Sequence, residues 1–102
     1  MIKIRLFCES GMSTSILVQR MRDEAAKRGI EVDVKAFGKV AFDAETNGID
    51  AALLAPQIGF QLDNFKKISE PKGVPTAAIS MMDYGMMNGA NVLDQVLGMI
   101  KK

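Results

Sequence analysis

The chain has 102 residues, a net charge of +1, 48% hydrophobic and 25% charged residues. That suffices for a single domain over residues 1–102, and it offers no broad basic field for nucleic acid. No apolar run reaches membrane-spanning length, and Met1 leads straight into an apolar strand, so neither a span nor a signal peptide is expected. One cysteine excludes an internal disulfide and fits a reducing cytoplasm. The absence of histidine excludes a Cys–His nucleophile pair, a phosphohistidine on this chain and the usual Cys/His zinc sites. No metal and no cofactor is expected.

Ile2, Ile4 and Leu6 alternate, which predicts a first strand ending at Phe7. A loop of small and hydroxyl residues follows, with Cys8 at its mouth. Leu17, Val18, Met21 and Ala25 then recur at helical spacing, which predicts a helix over 14–28. Ser13 or Thr14 caps it, Lys27 and Arg28 suit its negative end, and Gly29 stops it. Residues 31–37 alternate Val32, Val34 and Ala36 with charges, as an edge strand does. A short helix over 39–46 ends at Asn47-Gly48.

Residues 50–55 are apolar apart from Asp50, as in a strand covered on both faces, and Pro56-Gln57 closes it. Leu62, Phe65 and Ile68 mark the inner side of a helix over 59–68. Glu70-Pro71-Lys72-Gly73 is a turn. Residues 74–79 form a fourth strand, whose Pro75 points to an edge. Residues 83–91 read as turn-rich and lead into a last helix over 91–101, carrying Val92, Val96, Leu97 and Ile100. Met81, Met82, Met86 and Met87 read as core filler, with a methionine-lined docking surface as the alternative.

Strands alternating with helices predict an α/β fold: a four-stranded parallel sheet with helices on both faces. Right-handed crossovers and an edge second strand give the order 2-1-3-4. Ligands of such sheets bind at the carboxyl ends of the strands, at the switch point between strands 1 and 3. The Cys8 loop, Pro56-Gln57 and Asp83-Tyr84-Gly85 all reach that rim.

The loop predicts chemistry. Backbone N–H groups before a helix can wrap an anion, and the helix start adds partial positive charge. The same field favours a thiolate, and helix N-termini bring cysteines to roughly neutral pKa values or below. Cys8 is thus a candidate nucleophile. Glu9, Ser10, Gly11, Met12, Ser13, Thr14 and Ser15 form a candidate phosphate-binding loop, and Gln57 and Tyr84 are candidate rim residues. Gly11 reads as a position where a Cβ would obstruct the turn or the anion. The loop has no Walker pattern, no dinucleotide fingerprint and no C-x-x-C. It also lacks the arginine of a Cys-x5-Arg phosphatase loop, so it can hold a phosphoryl group without the fork that clamps a transition state.

Cys8-x-x-Gly11-Met12-Ser13-Thr14-Ser15 after a first strand resembles the phosphocysteine loop of enzyme IIB components of the sugar phosphotransferase system. Leu53-Leu54-Ala55-Pro56-Gln57-Ile58 and Asp83-Tyr84-Gly85 extend the resemblance over nearly the whole chain. It points to the lactose/cellobiose family and its cellobiose/chitobiose branch, since the lactose-type loop is richer in glycine. The resemblance implies a relay. Cys8 takes a phosphoryl group from the phosphohistidine of a IIA partner, then passes it to a sugar held by a membrane IIC permease, with this chain cytoplasmic at the inner face of the membrane. Glu9 departs from the small or uncharged residue of that pattern. A carboxylate beside an incoming phosphate is unfavourable unless it points outward.

Other readings exist for the same residues. A lone cysteine is often a buried small hydrophobe, Ser13 to Ser15 can simply cap a helix, Gln57 can satisfy a turn, and Tyr84 can be packing. Gly73-Val74-Pro75-Thr76 resembles the proline segment of thioredoxin-like proteins, which admits a monothiol glutaredoxin. A low-molecular-weight phosphatase-like enzyme is a further alternative. One Tyr, five Phe and no Trp supply an aromatic flavin site poorly.

Overall fold

The computed structural model describes residues 1–9 and 14–100. Among them β1 spans Ile2–Cys8, α1 Ser15–Arg28, β2 Val32–Gly38, α2 Phe42–Glu45 and β3 Ala51–Leu54. They are followed by α3 Leu62–Ser69, β4 Thr76–Ala78, α4 Met81–Gly85 and α5 Gly89–Ile100. The strands form one parallel sheet in the order β2-β1-β3-β4. β1 registers with β2 from Ile2 opposite Val32 to Cys8 opposite Gly38, and with β3 from Ile4 opposite Ala51 to Phe7 opposite Leu54.

The pleat sorts β1 onto two cores. Ile4, Leu6 and Cys8 share a core with Leu17, Val18 and Met21 of α1 and Val92, Leu93 and Val96 of α5. Phe7 joins Leu54, Ile58, Phe65 and Phe42 on the other side, where the Phe7 and Phe42 rings lie 4.7 Å apart and those of Phe42 and Phe65 4.6 Å apart. Burying each such side chain stabilises by about 1.5–3 kcal/mol. All of β3 is buried, as a strand covered on both faces requires. Arg5 is buried as well; its guanidinium donates to the carbonyls of Ile4 and Asp33 and pairs with the Asp33 carboxylate at 3.2 Å.

Gly29 ends α1 at φ 71, donating to the carbonyls of Ala25 and Ala26. The β2 and β4 edges and the sheet order agree with the sequence reading. Several boundaries do not. Pro56-Gln57 opens a 3-10 helix over Pro56–Gln61 rather than closing a strand, because proline suits a first helical turn. The predicted helix over 39–46 likewise begins as a 3-10 turn, Lys39–Ala41. The turn at Glu70–Lys72 is also 3-10, with Gly73 beyond it at φ 73. β4 is shorter than predicted, since Pro75 has no N–H to give. The segment read as turn-rich opens inside α4, which is capped by the Ser80 hydroxyl accepting from the Asp83 N–H at 3.1 Å. α5 starts at Gly89, two residues early, and the Asn88 side-chain oxygen accepts from the Asn91 N–H at 3.0 Å.

Candidate functional site

Cys8 is the last residue of β1 and is 1% exposed. On one side it registers with Gly38 of β2. On the other, the Ala55 N–H donates to the Phe7 carbonyl at 2.8 Å, which carries β3 one residue past the ladder alongside β1. The Ile79 N–H extends β4 against Leu54 in the same way, also at 2.8 Å. The strands therefore release their chain at one rim, with Cys8 at the switch point between β1 and β3.

Gln57 and Tyr84 meet at that rim. With Pro56, Met81 and Gly85 they line a cavity of about 270 Å³. Tyr84 is nearly buried and belongs to the same core as Cys8, so packing is part of its role; Gln57 is exposed. Asp83 is occupied at the α4–α5 junction, where its carboxylate accepts from the Asn91 amide at 3.1 Å. Ser10, Gly11, Met12 and Ser13 lie outside the described residues. Thr14 is buried and precedes α1, and its carbonyl accepts from the Val18 N–H at 2.9 Å. Its side chain does not cap the helix, because Thr14 already has the helical φ −97, ψ −1 instead of the extended geometry of a capping residue. Ser15 opens α1 and is exposed.

Glu9 turns outward. Its carboxylate pairs with the Lys39 ammonium at 2.9 Å. Sequence reasoning missed Lys39, because only the register of Cys8 with Gly38 brings the two following residues together. The methionine reading also needs correction. Met87 packs against the core, but Met81 and Met82 at the start of α4 and Met86 just after it are exposed, because α4 buries Tyr84 instead. Val40 and Phe60 are exposed on the connections after β2 and β3. Large exposed apolar side chains thus stand on the connections after β2, β3 and β4. Among the described residues no group of three acidic, cysteine or histidine side chains could hold a metal.

This arrangement defines a class: a parallel, doubly wound α/β domain with a cysteine at the switch point of its sheet. A sequence profile described as "PTS system, Lactose/Cellobiose specific IIB subunit" matches residues 3–95, and the chain belongs to that family. It is 35% identical over 100 residues to the oligo-beta-mannoside-specific EIIB component of Bacillus subtilis (strain 168), covering 98% of this chain and 97% of that protein. It is 40% identical over 95 residues to the galactose-specific EIIB component of Lactococcus lactis subsp. cremoris (strain MG1363), covering 88% of each. The solution structure of a cellobiose-specific phosphotransferase IIB component from Borrelia burgdorferi superposes with a TM-score of 0.80 at 36% identity, over 97% of this chain and 91% of that one. A lactose-specific IIB domain from Streptococcus pneumoniae shares the fold, with a TM-score of 0.88 at 20% identity over 98% of each chain.

EIIB components are phosphotransferases. The glutaredoxin alternative needs an antiparallel hairpin after the proline strand, whereas here β4 is parallel to β3 and runs into α4.

Proposed function

We propose that this chain is a phosphoryl carrier that works through Cys8. The Cys8 thiolate attacks the phosphorus of a phosphohistidine on a IIA protein. The S–P bond forms, the P–N bond breaks, and the donor imidazole leaves with the electron pair. In the second step a hydroxyl of a sugar bound by a IIC permease attacks the same phosphorus. The S–P bond then breaks, the thiolate is regenerated and the sugar hydroxyl gives its proton to water or to a base of the permease. Neither step needs an acid or base from this chain; positioning and charge stabilisation suffice. The backbone amides of residues 9–14, with the Ser10, Ser13 and Thr14 hydroxyls, are the groups assigned to the phosphoryl oxygens.

The observation that carries this reading is the place of Cys8: the last residue of the central strand, beside β3, in a member of the IIB family. The apolar rim of Val40, Phe60, Met81 and Met82 supports it, since a relay needs a surface on which a donor and then a permease can seat. No described helix is long and apolar enough to cross a membrane. In this reading the membrane step belongs to the permease, which the chain meets at the cytoplasmic side. The sugar assigned is a β-glucoside or chitobiose-like disaccharide. Relatives are named for oligo-beta-mannoside, galactose and cellobiose, so the permease is taken to set the choice.

The test is incubation with phosphorylated cognate IIA, followed by intact mass and mapping of the modified residue. One phosphoryl group on Cys8, lost on Cys8→Ser, is the expected result. Modification elsewhere, or none across several cognate donors, overturns the reading.

A further inference from the structure

The residue next to the nucleophile is a carboxylate, and the structure gives it a partner from another strand connection. Glu9 follows Cys8 directly, and Lys39 follows Gly38, the residue in register with Cys8. The two side chains meet one step beyond the ladder, Lys39 Nζ to Glu9 Oε1 at 2.9 Å. The pleat that sends Cys8 to the α1–α5 core and Phe7 to the opposite one returns the next residue to the Phe7 side. The Glu9 side chain is 64% exposed, and Lys39 is its ion-pair partner among the described residues, the contact that holds it from turning back towards the thiol.

We propose that Lys39 is a positioning residue for phosphoryl acceptance. By pairing with Glu9 it holds that carboxylate off the face on which the thiol lies. The role in acceptance rests on the phosphocarrier reading of Cys8. The electrostatic core of the proposal does not, because any anion that approaches the thiol meets the same field. A dianionic phosphoryl group is the species most affected. Removing Lys39 frees the carboxylate to swing towards the approaching anion. Removing Glu9 as well takes away the charge that Lys39 restrains.

The experiment compares alkylation of Cys8 by anionic iodoacetate and neutral iodoacetamide at one pH. The ratio of the two rates reads the local potential and cancels the thiolate fraction. Lys39→Gln is expected to lower the ratio roughly threefold, the effect of a unit charge at about 6 Å in water. The double variant Glu9→Gln/Lys39→Gln returns it to the wild-type value, Lys39→Arg keeps it there, and Glu9→Gln alone raises it by less than Lys39→Gln lowers it. Initial rates of phosphoryl acceptance from phosphorylated IIA follow the same order. An unmoved ratio in Lys39→Gln overturns the proposal. So does a double variant as low as Lys39→Gln. So does a rise in Glu9→Gln as large as the Lys39→Gln fall, which would mean that Lys39 attracts the anion itself. Circular dichroism of each variant confirms that the fold is retained. Ratios that move as expected in a protein no IIA phosphorylates would sink the carrier function alone, and normal phosphorylation with unmoved ratios would sink this inference alone.

Discussion

Gly89 of α5 meets Arg20 of α1 so closely that a Cβ on Gly89 would stand 2.5 Å from the Arg20 carbonyl carbon and 2.7 Å from its oxygen. Backbone cannot yield there as a flexible side chain can. Gly89→Ala is therefore expected to force the two helices apart and to cost about 1–3 kcal/mol. Gly98, in the exposed part of the same helix, has nothing within 4 Å of a Cβ. Gly98→Ala should stabilise by about 0.5–1 kcal/mol through helix propensity. Thermal melts of the two variants should move in opposite directions; a shift of both the same way contradicts the packing argument.

Ser69 and Thr76 join α3 to β4 through a buried hydrogen bond, Thr76 Oγ1 to Ser69 Oγ at 2.7 Å. Thr76→Val should cost about 1–3 kcal/mol, since it strands the Ser69 hydroxyl in the core. Ser69→Ala should cost less, because Thr76 keeps a contact to the Val74 carbonyl at 3.3 Å. The double variant should be more stable than the sum of the single losses predicts, as urea midpoints would show. Strict additivity would mean that the pair does not act as one unit.

Arg5 and Asp33 give a related test on the edge of the sheet. Asp33→Ala leaves a buried guanidinium without its carboxylate and should cost about 1–3 kcal/mol. Arg5→Met keeps an apolar stem in the same space and removes the charge, so it should cost less. Urea unfolding orders the two, and the reverse order would show that the Arg5 hydrogen bonds to the carbonyls of Ile4 and Asp33 outweigh the charge.

Asp94 makes a pH-dependent contact. The Arg28 hydrogen bond, 2.6 Å from Nη1 to Oδ1, holds the Asp94 carboxyl below its ordinary value. A depressed carboxyl contributes stability above the unfolded-state range and loses it as pH falls through its folded value. The melting difference between wild type and Asp94→Asn should be present near neutrality and close in acid. Both groups are exposed, so added salt should shrink it. A difference that grows towards acid pH would contradict the sign.

Much of this frame could be read from residue order alone. The alternation of Ile2, Ile4 and Leu6, the apolar run of β3, Gly29 at the end of α1 and Pro75 at the edge each reflect a local backbone rule. Misses occur where burial depends on what comes to lie above a side chain. Met81 and Met87 are chemically alike, yet one is 80% exposed and the other packs against the core. α4 went unread because a helix of five residues is too short to show a period, and Met87 then turns the chain at φ 52 without a glycine to mark it. At the site, the place of Cys8 at the carboxyl end of β1 was legible. The Glu9–Lys39 pair was not, because it exists only once two strands distant in sequence are in register.

β1 comes before its partner strands in the chain and lies inside the sheet, flanked by β2 on one side and β3 on the other. Its second edge waits for β3, and the apolar side of α1 waits longer still, until Val92, Leu93 and Val96 arrive with α5. Until α5 is made, a nascent chain therefore carries a sticky, half-covered surface. The core on that side of the sheet can close only when α5 is free of the exit tunnel, so its contacts form together rather than strand by strand.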